Sequence, residues 1–200
     1  MTQDPERNKV VYREYYLKNM ICTCCSRLLK ILMEQIGVTI ESLRMGEIRI
    51  SFDPENIDEA RILQVLHENG FDPVNDNESR LTEQIKLAVI DLVHHSTFNS
   101  MVRNSDFLVE KFNLSYQHIS SLFSKHVGIT LEKYIIIQKI EKAKELIISG
   151  ELTLSEIAYI MGYSSVQYLS TQFKNVTGVS VSEFKKDPAR YRRPVDELNG

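Results

Sequence analysis

Apolar positions along this chain follow two regimes. In the first 76 residues they come in short alternating runs broken by brief helical stripes; from Leu81 onward they return every three or four residues, the spacing of helices that bury one face. The helical regime is clearest over 152–186, LTLSEIAYIMGYSSVQYLSTQFKNVTGVSVSEFKK. Thr153 and Glu156 have the spacing of a capping box, which satisfies backbone donors reciprocally, so a helix is predicted to start there and run through Ile157, Ala158 and Ile160. Gly162 supplies the left-handed turn that ends it. Ser164 is the next predicted N-cap, with Gln167 three residues on. The helix that follows places Leu169, Phe173 and Val176 on one face and Gln167, Ser170, Thr171 and Lys174 on another. A short helix, a glycine turn and a second helix with a small, hydrogen-bonding face make a helix-turn-helix whose second helix suits a major groove.

The same pattern occurs earlier. Residues 115–134 laid on 165–184 at an offset of 50 bring Ser115, Gln117, Ser120, Phe123 and Gly128 onto Ser165, Gln167, Ser170, Phe173 and Gly178. Upstream of the turn the register shifts by one, so Leu108, Val109 and Phe112 fall on Ile157, Ala158 and Met161. The chain therefore holds two copies of one helical unit. Residues 130–149, closed by Gly150, read as a long connecting helix, about 30 Å at 1.5 Å per residue and so close to the ~34 Å of one DNA turn.

The first half reads as β-α-β-β-α-β over 9–76. Strands are predicted at 10–17, 38–45, 47–52 and 71–74; Ile48, Ile50 and Phe52 alternate with polar neighbours as a half-buried strand requires. Helices are predicted at 26–36, with Leu28, Leu29, Leu32, Met33 and Ile36 as the apolar stripe, and from 56–59 through Ile62, Leu63, Val65 and Leu66 to Asn69-Gly70. The polar stretch DPVNDNESR ends in a linker at 77–80, and a helix over 81–95 opens the second domain. Residues 1–8 and 188–200 read as tails. The fold class expected is thus a ferredoxin-like α+β domain over 9–76 followed by an all-α double helix-turn-helix domain over 81–187.

Composition fits this. With 42% hydrophobic and 26% charged residues the chain is ordinary for a folded soluble protein, and no apolar run has the length of a membrane span. The N-terminus MTQDPERNKV lacks a signal-peptide core, so the expected location is the cytoplasm and no membrane partner is expected. The net charge of −3 argues mildly against nucleic acid, but it is uneven: residues 1–79 carry 9 Lys and Arg against 14 Asp and Glu, whereas residues 80–200 carry 15 against 13. DNA affinity must then come from local placement. No nucleophile–base grouping, phosphate loop or carboxylate metal box appears, so nothing in the sequence argues for an enzyme.

The chemistry-bearing run is NMICTCC at 19–25, directly after a strand and before a helix. Cys22 and Cys25 form a C-x-x-C with Cys24 between them. A helix N-terminus favours thiolates, and thiolates at this spacing suit soft cations such as Cu(I), Zn(II) or Hg(II). Clustered cysteines in a reducing compartment argue for metal or thiol chemistry over a disulfide framework; structural cysteines are the plain alternative. His94 and His95 at a helix end are read as a cationic helix terminus rather than a metal pair.

Two resemblances follow from these motifs. The run I-A-x-x-x-G-Y-S followed by L-S-x-x-F-K-x-x-x-G-V-S, with Ile157, Ala158, Gly162, Tyr163, Ser164, Leu169, Phe173, Lys174 and Gly178 in place, resembles the DNA-binding domain of AraC/XylS-type transcription regulators. The first copy departs from it at Val109, where that family has Ala, and at Asn113, where it has Gly. M-x-C-x-x-C at Met20, Cys22 and Cys25 in the first loop of a βαββαβ order, with Gly70-Phe71, resembles the heavy-metal-associated domain; Asn19 stands where that family has Gly, and Cys24 is additional.

The resemblances imply a sequence-specific DNA-binding regulator that responds to a thiophilic metal held by Cys22 and Cys25, with Cys24 a candidate third ligand. They imply double-stranded operator DNA as partner, and leave room for a homodimer and an RNA polymerase contact. The DNA-facing candidates are Gln117, His118, Ser120, Ser121 and Lys125 in the first copy, and Gln167, Tyr168, Ser170, Thr171 and Lys174 in the second. Neither face carries an Arg; Gln pairs bidentately with adenine, so readout with less guanine preference is expected. Two rivals remain at this point: a metallochaperone or thiol-binding module whose helical half docks protein, and a regulator whose N-terminal domain only dimerises.

Overall fold

Three short strands, Val11–Tyr16 (β1), Thr39–Arg44 (β2) and Glu47–Phe52 (β3), pair antiparallel in the order β1-β3-β2. They belong to a computed structural model that describes residues 10–94 and 104–191. The chain divides into two compact units, Met1–Leu87 and Ala88–Gly200. In the first, Gly46 turns left-handed (φ 76°) between β2 and β3, which a residue without Cβ does at no steric cost. Ile48 and Ile50 are fully buried on the face covered by Thr23–Gln35 (α1) and Glu59–Glu68 (α2), which contribute Leu29, Met33, Ile62 and Leu66 to the same core. Leu28, expected in the stripe of α1, is instead 40% exposed, as is Ile31 at 53%: α1 is apolar around most of its circumference, and sequence periodicity cannot choose its inner face.

The expected fourth strand at 71–74 is not an element. Among the described residues the sheet has three strands, and Pro73 makes only an isolated bridge with Leu17. Two backbone bonds hold this segment, Lys18 N–H to Asp72 O at 2.9 Å and Val74 N–H to Tyr16 O at 2.7 Å. Pro73 stands between these two bonds, so its own nitrogen faces away from β1 and a proline is tolerated at this edge. The described residues thus show a three-stranded sheet with two helices in the order β1-α1-β2-β3-α2, and of the last strand of the expected βαββαβ domain they show only the bridge at β1.

Asn77–His94 (α3) follows. It takes in residues 77–80, expected as a linker, because Asp76 starts a helix there: its carboxylate accepts from Ser79 N–H at 2.7 Å. The boundary between the two units falls inside α3. His95 and residues 1–8 lie outside the described residues, as does most of the 188–200 tail, of which a short 3₁₀ turn at Ala189–Tyr191 is seen.

The second unit continues through Asn104–Phe112 (α4), Tyr116–Val127 (α5), Leu131–Ser149 (α6), Leu154–Ile160 (α7), Val166–Thr177 (α8) and Val181–Lys186 (α9). No helix among the described residues is long and apolar enough to cross a membrane. Two of its helices begin with complete capping boxes, Thr153 with Glu156 and Ser180 with Glu183. Both carboxyls sit below the ordinary Glu value of 4.5 because the cap hydroxyl and the cap N–H hydrogen-bond to them. A lowered folded value means that their contribution is fully present above the unfolded value and is lost as pH falls through the folded one. Stability measured by thermal unfolding should therefore decline below about pH 4.5, near the unfolded Glu value. The double variant Glu156→Gln, Glu183→Gln should show a flatter profile in that window; an unchanged slope would show that other carboxylates carry it.

Candidate nucleic-acid interface and thiol loop

The second helix-turn-helix is built around α8. Thr153 Oγ1 accepts from Glu156 N–H at 3.3 Å, and Glu156 Oε2 accepts from Thr153 N–H at 2.7 Å, so α7 starts where the sequence puts it. After Met161 the chain turns at Gly162 (φ 69°), and Tyr163 N–H closes back on Ala158 O at 2.8 Å. The N-cap of α8 is Ser165, not the expected Ser164. Ser165 is extended (φ −162°, ψ 161°) and its hydroxyl accepts from Tyr168 N–H at 3.1 Å. Gly178 ends the helix left-handed at φ 81°.

Leu169, Phe173, Val181 and Phe184 are buried with Ile157, Ala158 and Met161 against Ile140, Ala143 and Ile147 of α6; Val176, expected on this face, is half-buried beside them. The rings of Phe173 and Phe184 meet edge-on at 5.3 Å. Opposite this core, Gln167, Tyr168, Thr171 and Lys174 are exposed and Ser170 is half-buried. The Thr171 hydroxyl donates to Gln167 O at 2.9 Å, so its methyl is the part left to present outward.

The first copy repeats the second helix of this unit at an offset of fifty residues. Ser115 caps α5, accepting from His118 N–H at 3.3 Å, and Gly128 closes it at φ 79°. Asn113, standing where the second copy has Gly162, adopts φ 52°; Asn is among the few side chains that tolerate this region. Phe123 packs on Tyr134 at 5.1 Å, as Phe173 packs on Phe184. Gln117, His118, Ser121 and Lys125 are exposed, while Ser120 and Ser124 are half-buried and the Ser124 hydroxyl donates to Ser120 O at 2.8 Å. The copies differ at Val109, which is 37% exposed where Ala158 is 3% exposed.

One support of the second face escapes sequence reasoning. Tyr163 meets the Tyr168 ring edge-on at 5.7 Å, and Lys139 of α6 lies 5.8 Å above the Tyr163 ring. Burial lowers the Lys139 amine, and burial together with the neighbouring Tyr168 pushes the Tyr163 phenol up to about 12. The Tyr163 hydroxyl is buried without a hydrogen-bond partner among the described residues. Nothing in the local pattern marks Lys139, because its burial comes from a turn more than twenty residues away.

In the first unit the thiol loop is held from both sides. Asn19 takes the left-handed conformation (φ 62°) that favours Gly and that Asn tolerates, and its Nδ2 donates to Gly70 O at 3.1 Å. Met20 is 1% exposed within the core, so it anchors the loop. Cys22 is the N-cap of α1, its sulfur accepting from Cys25 N–H at 3.4 Å, and the two Sγ atoms stand 3.1 Å apart. Burial opposes ionisation of Cys22 but is outweighed by hydrogen bonds from the Cys25 thiol and from the Cys25 and Cys24 backbone, which hold its thiol below the ordinary value. Burial, and then the Cys22 sulfur as neighbour, raise Cys25. Cys24 is exposed beside them. Among the described residues no three His, Cys, Asp or Glu side chains gather as a metal-binding group.

Residues 108–187 match the family described as "Helix-turn-helix domain". The "Msm operon regulatory protein" of Streptococcus mutans is 27% identical over 128 residues, covering 64% of this chain and 44% of its own length. The "Xylose operon regulatory protein" of Escherichia coli K12 is 30% identical over 123 residues, covering 56% of this chain and 30% of its own. Among solved structures, the C-terminal domain of AraT, a response regulator from Geobacillus stearothermophilus, aligns at 27% identity over 56% of this chain and 88% of that one, with a TM-score of 0.47. The chain thus spans less than half the length of these two curated relatives.

Proposed function

We propose that this chain, whose residues 108–187 match the family described as "Helix-turn-helix domain", is a DNA-binding transcription regulator of AraC type that reads an operator through α5 and α8. The observation that supports this most is the duplicated geometry: two twelve-residue helices fifty residues apart, each capped by Ser and closed by Gly, each burying one Phe and exposing a Gln-led polar face. Helices of this size with small polar faces fit the major groove, and Gln meets adenine N6 and N7 there. Lys174 and, in the first copy, Lys125 are exposed on these helices and are the cations proposed to meet phosphate. The cytoplasm, double-stranded DNA and RNA polymerase are the setting and partners that such a role implies.

The test separates base contacts from backbone contacts. Gln167→Ala should cost about 1–3 kcal/mol on the preferred site and relax preference at one base. Lys174→Ala should weaken binding on all duplexes and reduce the salt slope by about one. Titrations of specific and scrambled duplexes at several salt concentrations measure both; an equal loss on every sequence for Gln167→Ala would remove base readout from that residue.

The reading extends to the first unit, where Cys22 and Cys25 hold a soft ion. Two sulfurs at a helix N-terminus, with no metal-binding group of three gathered among the described residues, fit an ion of low coordination number such as Cu(I) better than Zn(II), which takes four ligands in structural sites. Bound there, the ion would supply a charge at the start of α1. The chain's own residues orient it: Asn19 fixes the loop, Met20 pins it to the core and the N–H of Cys25 points at the Cys22 sulfur.

A further inference from the structure

We infer that β2 is a pairing edge: two copies of this chain join their β2 strands antiparallel about a two-fold axis and so make one continuous sheet. The inference concerns the first unit alone and stands apart from the DNA and metal readings above. The order β1-β3-β2 leaves β2 at the end of the sheet, and among the described residues no backbone hydrogen bond is made on its outer side. An open groove of about 670 Å³ runs beside it, with Lys30 and Glu34 of α1 on its helix side. Such an edge offers N–H and C=O groups to a further strand.

A bulge decides which strand fits there. The register of β2 against β3 shifts between Ile40 and Ser42, so that Ile40 pairs with Ile50 and Leu43 with Ile48. Ile48 and Ile50 are both buried on the face that α1 and α2 cover. Ile40 and Leu43 therefore share that face although they stand three residues apart; in an unbulged strand they would point to opposite faces. Both are only half-buried. When the two-fold axis passes between Glu41 and Ser42, Ile40 of each copy stands opposite Leu43 of the other. A shift of one residue would set Ile40 against Ser42 or Arg44 instead, so the apolar pattern selects this one register.

Charge selects the same partner. Glu41 lies on the opposite face, where its carboxylate accepts from the Ser51 hydroxyl, and Arg44 follows Leu43 onto that face; both are exposed. In the register above, Arg44 stands diagonal to Glu41 of the second copy, twice per dimer, within reach of two long side chains. The same axis runs α1 antiparallel to its counterpart, which turns Lys30 of one copy towards Glu34 of the other across the groove. Charges and a bulge on an edge ordinarily discourage pairing. Here they repel a parallel neighbour, which would set Glu41 against Glu41 and Arg44 against Arg44, and they suit an antiparallel second β2. The interface is isologous and closes at two copies. The edge is six residues long, short of the roughly 20–30 residues a side of a standard interface, so association is expected at micromolar rather than nanomolar concentration.

The experiment is analytical ultracentrifugation of the full chain, without DNA and with reductant and chelator present so that neither a disulfide nor a metal joins the copies. The expected result is a monomer–dimer equilibrium below about 100 µM. Arg44→Glu and Glu41→Arg should each weaken it about 2- to 30-fold, because two diagonal pairs per dimer become repulsive. Mixing the two variants in equal amounts should restore association, since in the mixed dimer every Glu again stands diagonal to an Arg. A variant that is weak only because it folds poorly does not recover on mixing. A wild-type chain that stays monomeric over this range leaves the edge to a strand of another protein and overturns the inference. A dimer that neither variant weakens, or variants that weaken it without recovery on mixing, overturns it as well. None of these outcomes bears on operator binding or on the ion at Cys22 and Cys25.

Discussion

Phe173→Ala is expected to cost about 3–5 kcal/mol of stability and to abolish operator binding through the loss of the second helix-turn-helix. Phe173 is fully buried where α6, α7, α8 and α9 converge, and its ring meets Phe184 edge-on at 5.3 Å. Removing it takes away transfer free energy and leaves a cavity that four short elements cannot all close around. Domains of this kind have a total stability of only about 5–15 kcal/mol, so the loss is a large fraction of it. Phe173→Leu retains most of the apolar volume and should lose less than half as much. Denaturant unfolding followed by circular dichroism measures both. A shift below about 1 kcal/mol for Phe173→Ala would mean that the site repacks and that the core is not the cooperative unit described.

Replacing both Cys22 and Cys25 by Ser should change the chain from binding one soft ion to binding none, with little change in fold. Hydroxyl oxygens are poor partners for Cu(I), so the ligand set is destroyed. The structure at Cys22 is not, because Ser is a better N-cap than Cys and can accept the Cys25 N–H bond in the sulfur's place. This separation makes the variant informative: circular dichroism should be unchanged while anaerobic Cu(I) titration and native mass spectrometry report zero occupancy against one for the parent chain. Affinity of the parent should fall as pH falls, since protons compete for both sulfurs. A double variant with undiminished stoichiometry would assign the ion elsewhere.

The helical half is largely legible in the sequence because its determinants are local. Caps at Ser115, Thr130, Thr153 and Ser180 and left-handed ends at Gly128, Gly150 and Gly178 each depend on a few adjacent residues. The misplaced cap shows the limit of reading one copy alone. Ser164 has Gln167 three residues on, but Ser165 stands fifty residues after Ser115, and the repeat itself identifies it. The sheet half depends on distant partners and is harder to read. Residues 71–74 look like a strand by composition, yet their pairing with β1 extends to the one bridge between Leu17 and Pro73. Residues 77–80 look like a loop because they are polar, while Asp76 makes them the first turn of α3. The cysteine spacing is plain from sequence; the 3.1 Å sulfur separation and the left-handed Asn19 that shapes the loop are not.

The paired starts of α6 and α9 have a consequence for how such an array could grow. Both helices open at the same point of the fifty-residue period, but α6 runs nineteen residues and α9 only six. What separates them is an ending: Asp187 leaves the helix at φ −148°, ψ 75° because Pro188 behind it clashes with helical backbone. α9 is thus a connecting helix cut short, and a longer one at that place would offer a floor on which a third copy could be laid. The short length of α9 is set by the Asp187-Pro188 dipeptide that stops it, not by any property of α5 or α8.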